Sequence, residues 1–456
     1  MKNLTLEKIT NACHGAYHGD PKNLPLEAAS VVTDSRQVEP GDLFVAIDGE
    51  RVDGHKFIPE TIEKGALCVV SQEDLGEVDY PYIQVDSTIQ ALLDIARLYR
   101  ESFDLKVVGI SGSVGKTTTK EVISSILSQK YNVHKTAGNF NNHIGLPLSI
   151  FGLNEAHEAA VFEMGVNHFG EMRMLSSVVQ PDICVLTNIG VAHLEHFGTR
   201  EGIFKEKSQM ILDMKEGGTI LLNGDDEILS KSGEIDGVMP KFFGLGENCD
   251  FRATNVKSLG VNGTSLTIHL PDGSSFSALI PLPGRHMVDD VLAGAAVGYL
   301  LDLSPEQIRA GIESLTSLPG RNHLIKTDRL TILDDCYNAN PVSMKAALDV
   351  LSETKGRKVA ILGDMGELGE EEAALHYETG AYAAEKQIDL VCGVGPLSKE
   401  LVKGAATGKN TSTCWAETTD AFIEQIPELI HPGDQILVKA SHAMHFTDLV
   451  EALTSF

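Results

Sequence analysis

Residues 107–122, VVGISGSVGKTTTKEV, carry the sharpest chemical signal in the chain. Gly112 and Gly115 let the backbone turn and approach an anion closely, where a Cβ would collide. Lys116 brings a point charge to the β- and γ-phosphates of a nucleotide, and Thr117 a hydroxyl to a magnesium ion. Val107 and Val108 close a short apolar run that reads as a buried strand, and from Thr117 onward the spacing is helical. The phosphates would therefore rest on a helix N-terminus, with its free N–H groups and positive dipole end. The strict P-loop pattern has a glycine at position 110, where this chain has Ile110 and places Gly109 one residue early. The alternative is a glycine-rich turn that holds nothing. Glycine, lysine and two threonines in this order, between strand and helix, favour a mononucleotide site.

Other residues could do chemistry but decide nothing alone. Glu163, in VFEMGVNHFGEM, ends a strand at the edge where open α/β sheets place ligands, as a magnesium carboxylate or as a solvated strand end. His193 and His196 stand three apart, yet no H-E-x-x-H arrangement accompanies them, and such a pair is more often structural than a zinc site. Lys205 and Lys207 read as a solvated helical face. The loop GNFNNHIGLPLS is dense in asparagines, whose amides both donate and accept, although turns also favour asparagine. In DDCYNANPVSM, Asp334 or Asp335 ends a strand before a proline-started helix and could orient a ligand or cap the turn.

The elements that must position these groups fall into three regions. Residues 1–85 mix short β-like runs (GDLFVAI, ALCVVS, YPYIQV) with turn residues. Residues 86–315 alternate strands such as EAAVFEMG, ICVLTNIG and GTILLNGDD with helical stretches, the pattern of a parallel sheet, and end in a hairpin with an Asp-Gly turn. Residues 316–456 alternate again through LTILDDCYN, RKVAILGDMG, DLVCGVG and DQILVKAS. Two α/β units in series behind a smaller domain are expected.

The 456 residues suffice for two or three cores. The net charge of −27 argues against general binding to nucleic acid or to an anionic membrane, whose fields would repel it. Seven scattered cysteines without a C-x-x-C pair read as free thiols in a reducing compartment. The opening residues turn polar too soon for a signal peptide, and no apolar run approaches membrane-spanning length. A cytoplasmic protein without membrane insertion is expected.

Taken together, Gly112–Thr119, GNFNN, FEMG, NIGVAHLEHFG, DDCYNANP and LGDMGELG occur in an order and at spacings that resemble the Mur ligases. YNANP and GDMGELG are similar to the dipeptide-adding branch of that family. TDSRQVEPGDLFVAIDGERVDGHKF looks like its UDP-binding domain. The resemblance implies a small N-terminal α/β UDP-binding domain, a central P-loop ATPase-type domain and a C-terminal Rossmann-like domain. It also implies an amide ligase that uses ATP and Mg2+. The carboxylate of a UDP-N-acetylmuramoyl-tripeptide would be phosphorylated, and the amine of D-alanyl-D-alanine would attack the acyl phosphate. A monomer is expected, with domain closure on ATP.

The resemblance also distributes roles. Gly112, Ser113, Val114, Gly115, Lys116, Thr117 and Thr118 would hold ATP, with Asp290, Arg321, Asp335 and Asn338 completing its site. Thr117, Glu163, His193 and Lys207 would hold metal, Lys207 as a lysine carbamylated by CO2, and Lys116, Lys207 and His193 would be catalytic. Asn139, Asn141, Asn142 and Asn340 would meet substrate, and Ser35, Arg36, Asp53 and His55 the UDP-sugar end. Two stretches depart from the family pattern. GRHMVDDV has Met287 and Asp290 where asparagines are usual, leaving a carboxylate to accept from the adenine amino group. KASH has Ala440 and His442 where K-G-S-R is usual, and an imidazole does not replace a bidentate guanidinium. A GTPase would carry an N-K-x-D motif, which is missing. A folylpolyglutamate synthase would share the loop but not TDSR or YNANP.

Overall fold

A computed structural model describes residues 1–49, 52–190 and 194–456. Three sheets follow one another along the chain. The first holds β1 (Ala16–His18), β2 (Val31–Val32), β3 (Leu43–Val45), β4 (Cys68–Ser71) and β5 (Tyr82–Gln84), in spatial order β1-β5-β4-β3-β2. The second holds β6 (Lys106–Ser111), β7 (Val133–Lys135), β8 (Ala159–Glu163), β9 (Ile183–Leu186), β10 (Thr219–Asn223), β11 (Lys241–Gly244), β12 (Phe251–Ser258), β13 (Thr264–His269) and β14 (Ser275–Ile280). Its order is β14-β13-β12-β11-β10-β9-β6-β8-β7. The third holds β15 (His323–Lys326), β16 (Thr331–Asp334), β17 (Lys358–Gly363), β18 (Leu390–Val394), β19 (Ser412–Ala416) and β20 (Gln435–Lys439), in order β15-β16-β20-β17-β18-β19.

The second sheet is parallel from β7 to β12 and then turns antiparallel through β13 and β14. The change follows burial. β6, β8 and β9 are buried along almost their whole length, as helix-covered parallel strands must be. β13 alternates buried and half-buried residues, which suits a hairpin with one wet face. The sequence pattern foresaw a parallel sheet with a hairpin at its end. It did not foresee β11, a short KFFG, or β12, whose polar alternation (FRATNVKS) lacks an apolar run.

Alternate residues of the central strands feed two cores. Val107, Ala160, Phe162, Cys184 and Leu186 enter one, and Val108, Val161, Ile183 and Val185 the other. The first of these cores is continuous with that of the N-terminal sheet, through Leu43, Val45, Val70 and Ile83. The helix Thr88–Arg100, capped by Ser87, joins them by burying Leu92, Ile95 and Ala96 in the same cluster. The third sheet has its own cores, one on each face.

β6 sits at the crevice of the central sheet, because the chain leaves it toward β7 and β8 on one side and reaches β9 and β10 on the other. In such sheets the C-terminal strand ends at the switch point form the ligand crevice. In the third sheet β20 lies between β16 and β17, opening a second crevice.

Candidate active site

The loop after β6 is built as its glycines require. Gly112 has φ +150°, and a Cβ there would lie 1.9 Å from Thr187 Oγ1. Gly115, at φ +85°, caps the helix Lys116–Leu127. The loop after β9 ties it down: Asn188 Oδ1 accepts from Val114 N at 2.9 Å, and Thr187 Oγ1 donates to the Val114 carbonyl at 2.6 Å. Ser113 Oγ accepts from Gly190 N at 2.9 Å. The Lys116 ammonium folds back on its own loop, donating to the Gly112 carbonyl at 2.9 Å.

Glu163 is the centre of the site. β8 pairs Glu163 with Ile110 of β6, which brings its carboxylate beside the loop. Its Oε2 accepts from Thr117 Oγ1 at 2.9 Å and its Oε1 from Asn141 Nδ2 at 2.8 Å. The residue is 2% exposed, so the solvated strand end is excluded. A hydroxyl and a carboxylate converging in this way are hard oxygen donors, and they fit a magnesium ion. Lys207 corrects its bland reading too: far from lying on a solvated face, it is 1% exposed. Burial holds its pKa well below the ordinary lysine value, the Lys116 charge lowers it further, and Glu206 opposes both. Lys116 is also lowered, chiefly by desolvation and then by Arg321, against the pull of Glu163 and Glu367.

A cleft of roughly 680 Å³ opens over the loop, and the third sheet forms its opposite wall. Ser113, Val114, Gly115, Lys116, Thr117, Thr118, Asn139, Asn141, Asn142, Glu163 and Asp290 line one side. Arg321, Asp335, Asn338 and Asn340 line the other. Local chemistry holds that wall. Lys439, at the end of β20, bonds Asp335 Oδ2 at 2.5 Å and the Asn338 carbonyl at 2.9 Å. The Arg321 guanidinium lies 3.9 Å from the centre of the Tyr337 ring, and that ring packs at a tilt against His442, with ring centres 5.3 Å apart. His442 therefore presents a tilted ring face where the family pattern has a guanidinium. Asn340 Oδ1 accepts from Ser343 N at 2.9 Å, capping the helix Pro341–Ser352.

Asp290 lines the cleft, but Oδ1 already accepts from Thr119 Oγ1 at 2.6 Å. Burial raises its pKa to about 7. Asp289 beside it is also raised to about 7, by desolvation and then by Asp225.

Not every expected residue joins this site. His193 lies outside the described residues. His196, from the same stretch, packs at a tilt against His168, with ring centres 4.4 Å apart. Ser35, Arg36, Asp53 and His55 do not line the cleft. Their polar groups work locally: Asp34 bonds the Arg36 guanidinium at 2.7 Å, and the Ser35 carbonyl accepts from Lys64 Nζ at 2.8 Å. Asp53 caps the turn Gly54–Phe57 and holds His55 Nδ1 at 2.8 Å, while His55 Nε2 accepts from Gln72 N at 3.3 Å. Asp53, His55 and Glu73 lie close enough for metal ligation, but both imidazole nitrogens are thus engaged. Sequence reasoning missed Thr187, Asn188, Asp226 and Tyr337 on the cleft wall and Lys120 beneath it. Asn188, Asp226, Tyr337 and Lys120 lie inside stretches already singled out (NIGVAHLEHFG, GTILLNGDD, YNANP and the residues 107–122 loop), but only packing shows that these side chains reach the cleft or its floor.

Comparison with known proteins places the whole chain. The Mur ligase middle domain matches residues 110–298, the Mur ligase glutamate ligase domain residues 320–442, and the Mur ligase family catalytic domain residues 27–100. The UDP-N-acetylmuramoyl-tripeptide–D-alanyl-D-alanine ligase of Bacillus subtilis is 38% identical over 93% of this chain and 92% of its own. A crystal structure of MurF from Acinetobacter baumannii superposes with TM-score 0.91 at 31% identity, covering 99% of each chain. The MurF ligase of Thermotoga maritima, solved in complex with ADP, is 30% identical with TM-score 0.83 over 93% of this chain and 97% of that one.

Proposed function

The chain belongs to the Mur ligase family, and we propose from that premise that it joins D-alanyl-D-alanine to UDP-N-acetylmuramoyl-tripeptide at the expense of ATP, in peptidoglycan precursor synthesis. The observation that carries the reading is the convergence of Lys116, Thr117 and Glu163 at one strand-end crevice, faced across the cleft by Arg321. A phosphate-gripping loop alone would serve a switch or a simple ATPase. A second wall with its own cation and polar groups supplies a place for a carboxylate and an amine to meet the γ-phosphate.

The chemistry follows from what a carboxylate lacks. It is a poor electrophile, and phosphorylation turns one of its oxygens into part of a good leaving group. Lys116 would leave the Gly112 carbonyl for the β- and γ-phosphates, while the loop's N–H groups hold the chain of phosphates in line. Arg321, held over the Tyr337 ring, would meet the phosphates from the other wall. Thr117 and Glu163, with His193 and Lys207 as further candidates, would hold magnesium, which neutralises charge on the transferring group. Asn139, Asn141 and Asn142 would orient the tripeptide, while Asp335, Asn338 and Asn340 would face nucleotide and dipeptide. The dipeptide amine then attacks the acyl phosphate, and the tetrahedral intermediate collapses with loss of phosphate.

We place the three domains at residues 1–85, 86–315 and 316–456, and read Ser35, Arg36, Asp53 and His55 as the UDP-sugar end on the resemblance alone. Among the described residues, no helix is long and apolar enough to cross a membrane. We read the protein as a monomer, and nucleotide-linked substrates favour the cytoplasm. The deciding experiment supplies ATP, magnesium and UDP-N-acetylmuramoyl-tripeptide with and without D-alanyl-D-alanine. Phosphate release that depends on the dipeptide is expected, with a product heavier by the dipeptide less water. Release indifferent to both substrates would sink the ligase reading.

A further inference from the structure

Lys120 stands on the helix Lys116–Leu127, one turn beyond Lys116, and is 1% exposed. A buried ammonium is costly unless it is paired and hydrogen-bonded. Its Nζ donates to the Thr136 carbonyl at 2.8 Å and to the Gly138 carbonyl at 3.4 Å. It also stands 3.8 Å from Glu163 Oε2 and 3.4 Å from Glu121 Oε1. Desolvation lowers its pKa, while Glu163 and then Glu121 oppose the shift.

These contacts form a closed circuit around the site. Thr136 follows β7, whose paired register with β8 ends at Lys135, and its N–H makes a last bond to the Val161 carbonyl at 3.1 Å. Lys120 supplies a donor to the Thr136 carbonyl and again to that of Gly138. Thr136 Oγ1 in turn accepts from Glu163 N at 3.0 Å, so the same residue touches both ammonium and carboxylate strand. The segment then runs directly into Asn139, Asn141 and Asn142, and Asn141 closes the circuit on Glu163 Oε1 at 2.8 Å. One side chain therefore links the phosphate-loop helix, the asparagine segment and the strand-end carboxylate.

We propose that Lys120 is a positioning residue for this reaction: it clamps residues 136–142 to the phosphate-loop helix and holds the Glu163 carboxylate aimed into the cleft. The proposal rests on reading Thr117 and Glu163 as the cation site. It differs from a packing role in chemistry: a methionine fills nearly the same volume but offers no donor to either carbonyl and no charge to Glu163. Partners that orient a metal-binding side chain typically alter metal affinity ten- to hundredfold when removed.

The test uses the full chain with Lys120→Met and Lys120→Arg and two readouts independent of turnover. Amide hydrogen exchange on the nucleotide-free protein reports residues 136–142, and calorimetric binding of ADP at graded magnesium reports the cation site. In Lys120→Met we expect exchange at 136–142 to rise about tenfold or more, with β6 and β9 unchanged. The magnesium concentration that half-restores ADP binding should rise about tenfold or more. Lys120→Arg, which keeps charge and donors in a different shape, should fall between the two. If exchange accelerates while the magnesium requirement stays within twofold, Lys120 only anchors the segment and the proposal is wrong. Unchanged exchange overturns it as well. Should Lys120→Met fail to fold, Lys120→Arg decides by the same magnesium criterion. A parent protein that binds ADP but makes no dipeptide product would count against the ligase reading and leave these readouts intact.

Discussion

Thr119 Oγ1 donates to Asp290 Oδ1 across 2.6 Å, tying the phosphate-loop helix to the helix Met287–Leu300 below the cleft. Asp290 is 7% exposed, and burial raises its pKa to about 7, the Thr119 bond opposing the shift. A carboxyl whose folded pKa lies above its unfolded value of about 4 loses stability as pH rises between the two. The penalty is absent below about pH 4 and complete above about pH 7. Asp290→Asn keeps an oxygen to accept from Thr119 and removes the charge. It should therefore raise the thermal midpoint at pH 8, by the equivalent of about 2 kcal/mol or more, and leave it almost unchanged at pH 4. Thermal unfolding of both proteins at the two pH values checks this. Equal shifts at pH 4 and pH 8 would refute the linkage.

Among the described residues, the Lys116 ammonium makes one hydrogen bond, to its own loop at the Gly112 carbonyl. On the proposed role its removal would cost the fold little and the transition state a point charge. Lys116→Ala should lower kcat by about a thousandfold or more while the unfolding midpoint moves by no more than a few degrees. Steady-state phosphate release beside a melting curve separates the two effects. Substantial retained activity would remove this lysine from the phosphates.

The strand–loop–helix around Gly112–Thr117 was legible because its signal is local: glycines, lysine and threonine fall within six residues, and the flanking strand and helix announce themselves. The three sheets followed from apolar runs, whereas the edge strand β19 (STCWA) is only half-buried and gave no such run. Glu163 could not be decided from sequence, because its burial depends on Thr117, Lys120 and Asn141 arriving from elsewhere. Lys207 misled for the same reason. In FKEKS it has the pattern of a wet helix face, and only tertiary packing covers it. Lys120 bonds carbonyls 16 and 18 residues away, a separation no short motif encodes.

Burial and the neighbouring Lys116 charge favour the neutral amine at Lys207. A neutral amine can add to CO2, forming a carbamate and releasing a proton, and the product is an anion able to ligate magnesium. Protein equilibrated with 13C-bicarbonate should therefore show a carbamate carbon resonance that Lys207→Ala lacks. Because the pKa is lowered, that resonance should persist below the pH at which an exposed lysine would be fully protonated. Its absence at neutral pH in the parent protein would rule out the modification.

The last prediction concerns the opposite wall. The Arg321 guanidinium lies over the Tyr337 ring, 3.9 Å from its centre, and Tyr337 is braced in turn by His442. An exposed cation–π contact contributes only about 0.5–1 kcal/mol, so stability is not what this stack chiefly serves. Its effect is to hold a planar fork at one orientation toward the cleft. Arg321→Lys keeps the charge but loses both fork and stacking. We expect kcat/KM for ATP to fall about ten- to hundredfold, with the melting temperature nearly unchanged. Tyr337→Leu should show a smaller fall in the same direction, since the guanidinium survives but loses its platform. The combined variant should lose little more than Arg321→Lys alone, because the ring acts through the arginine. Losses that simply add would mean that Tyr337 and Arg321 act independently, and that the stack is packing rather than aim.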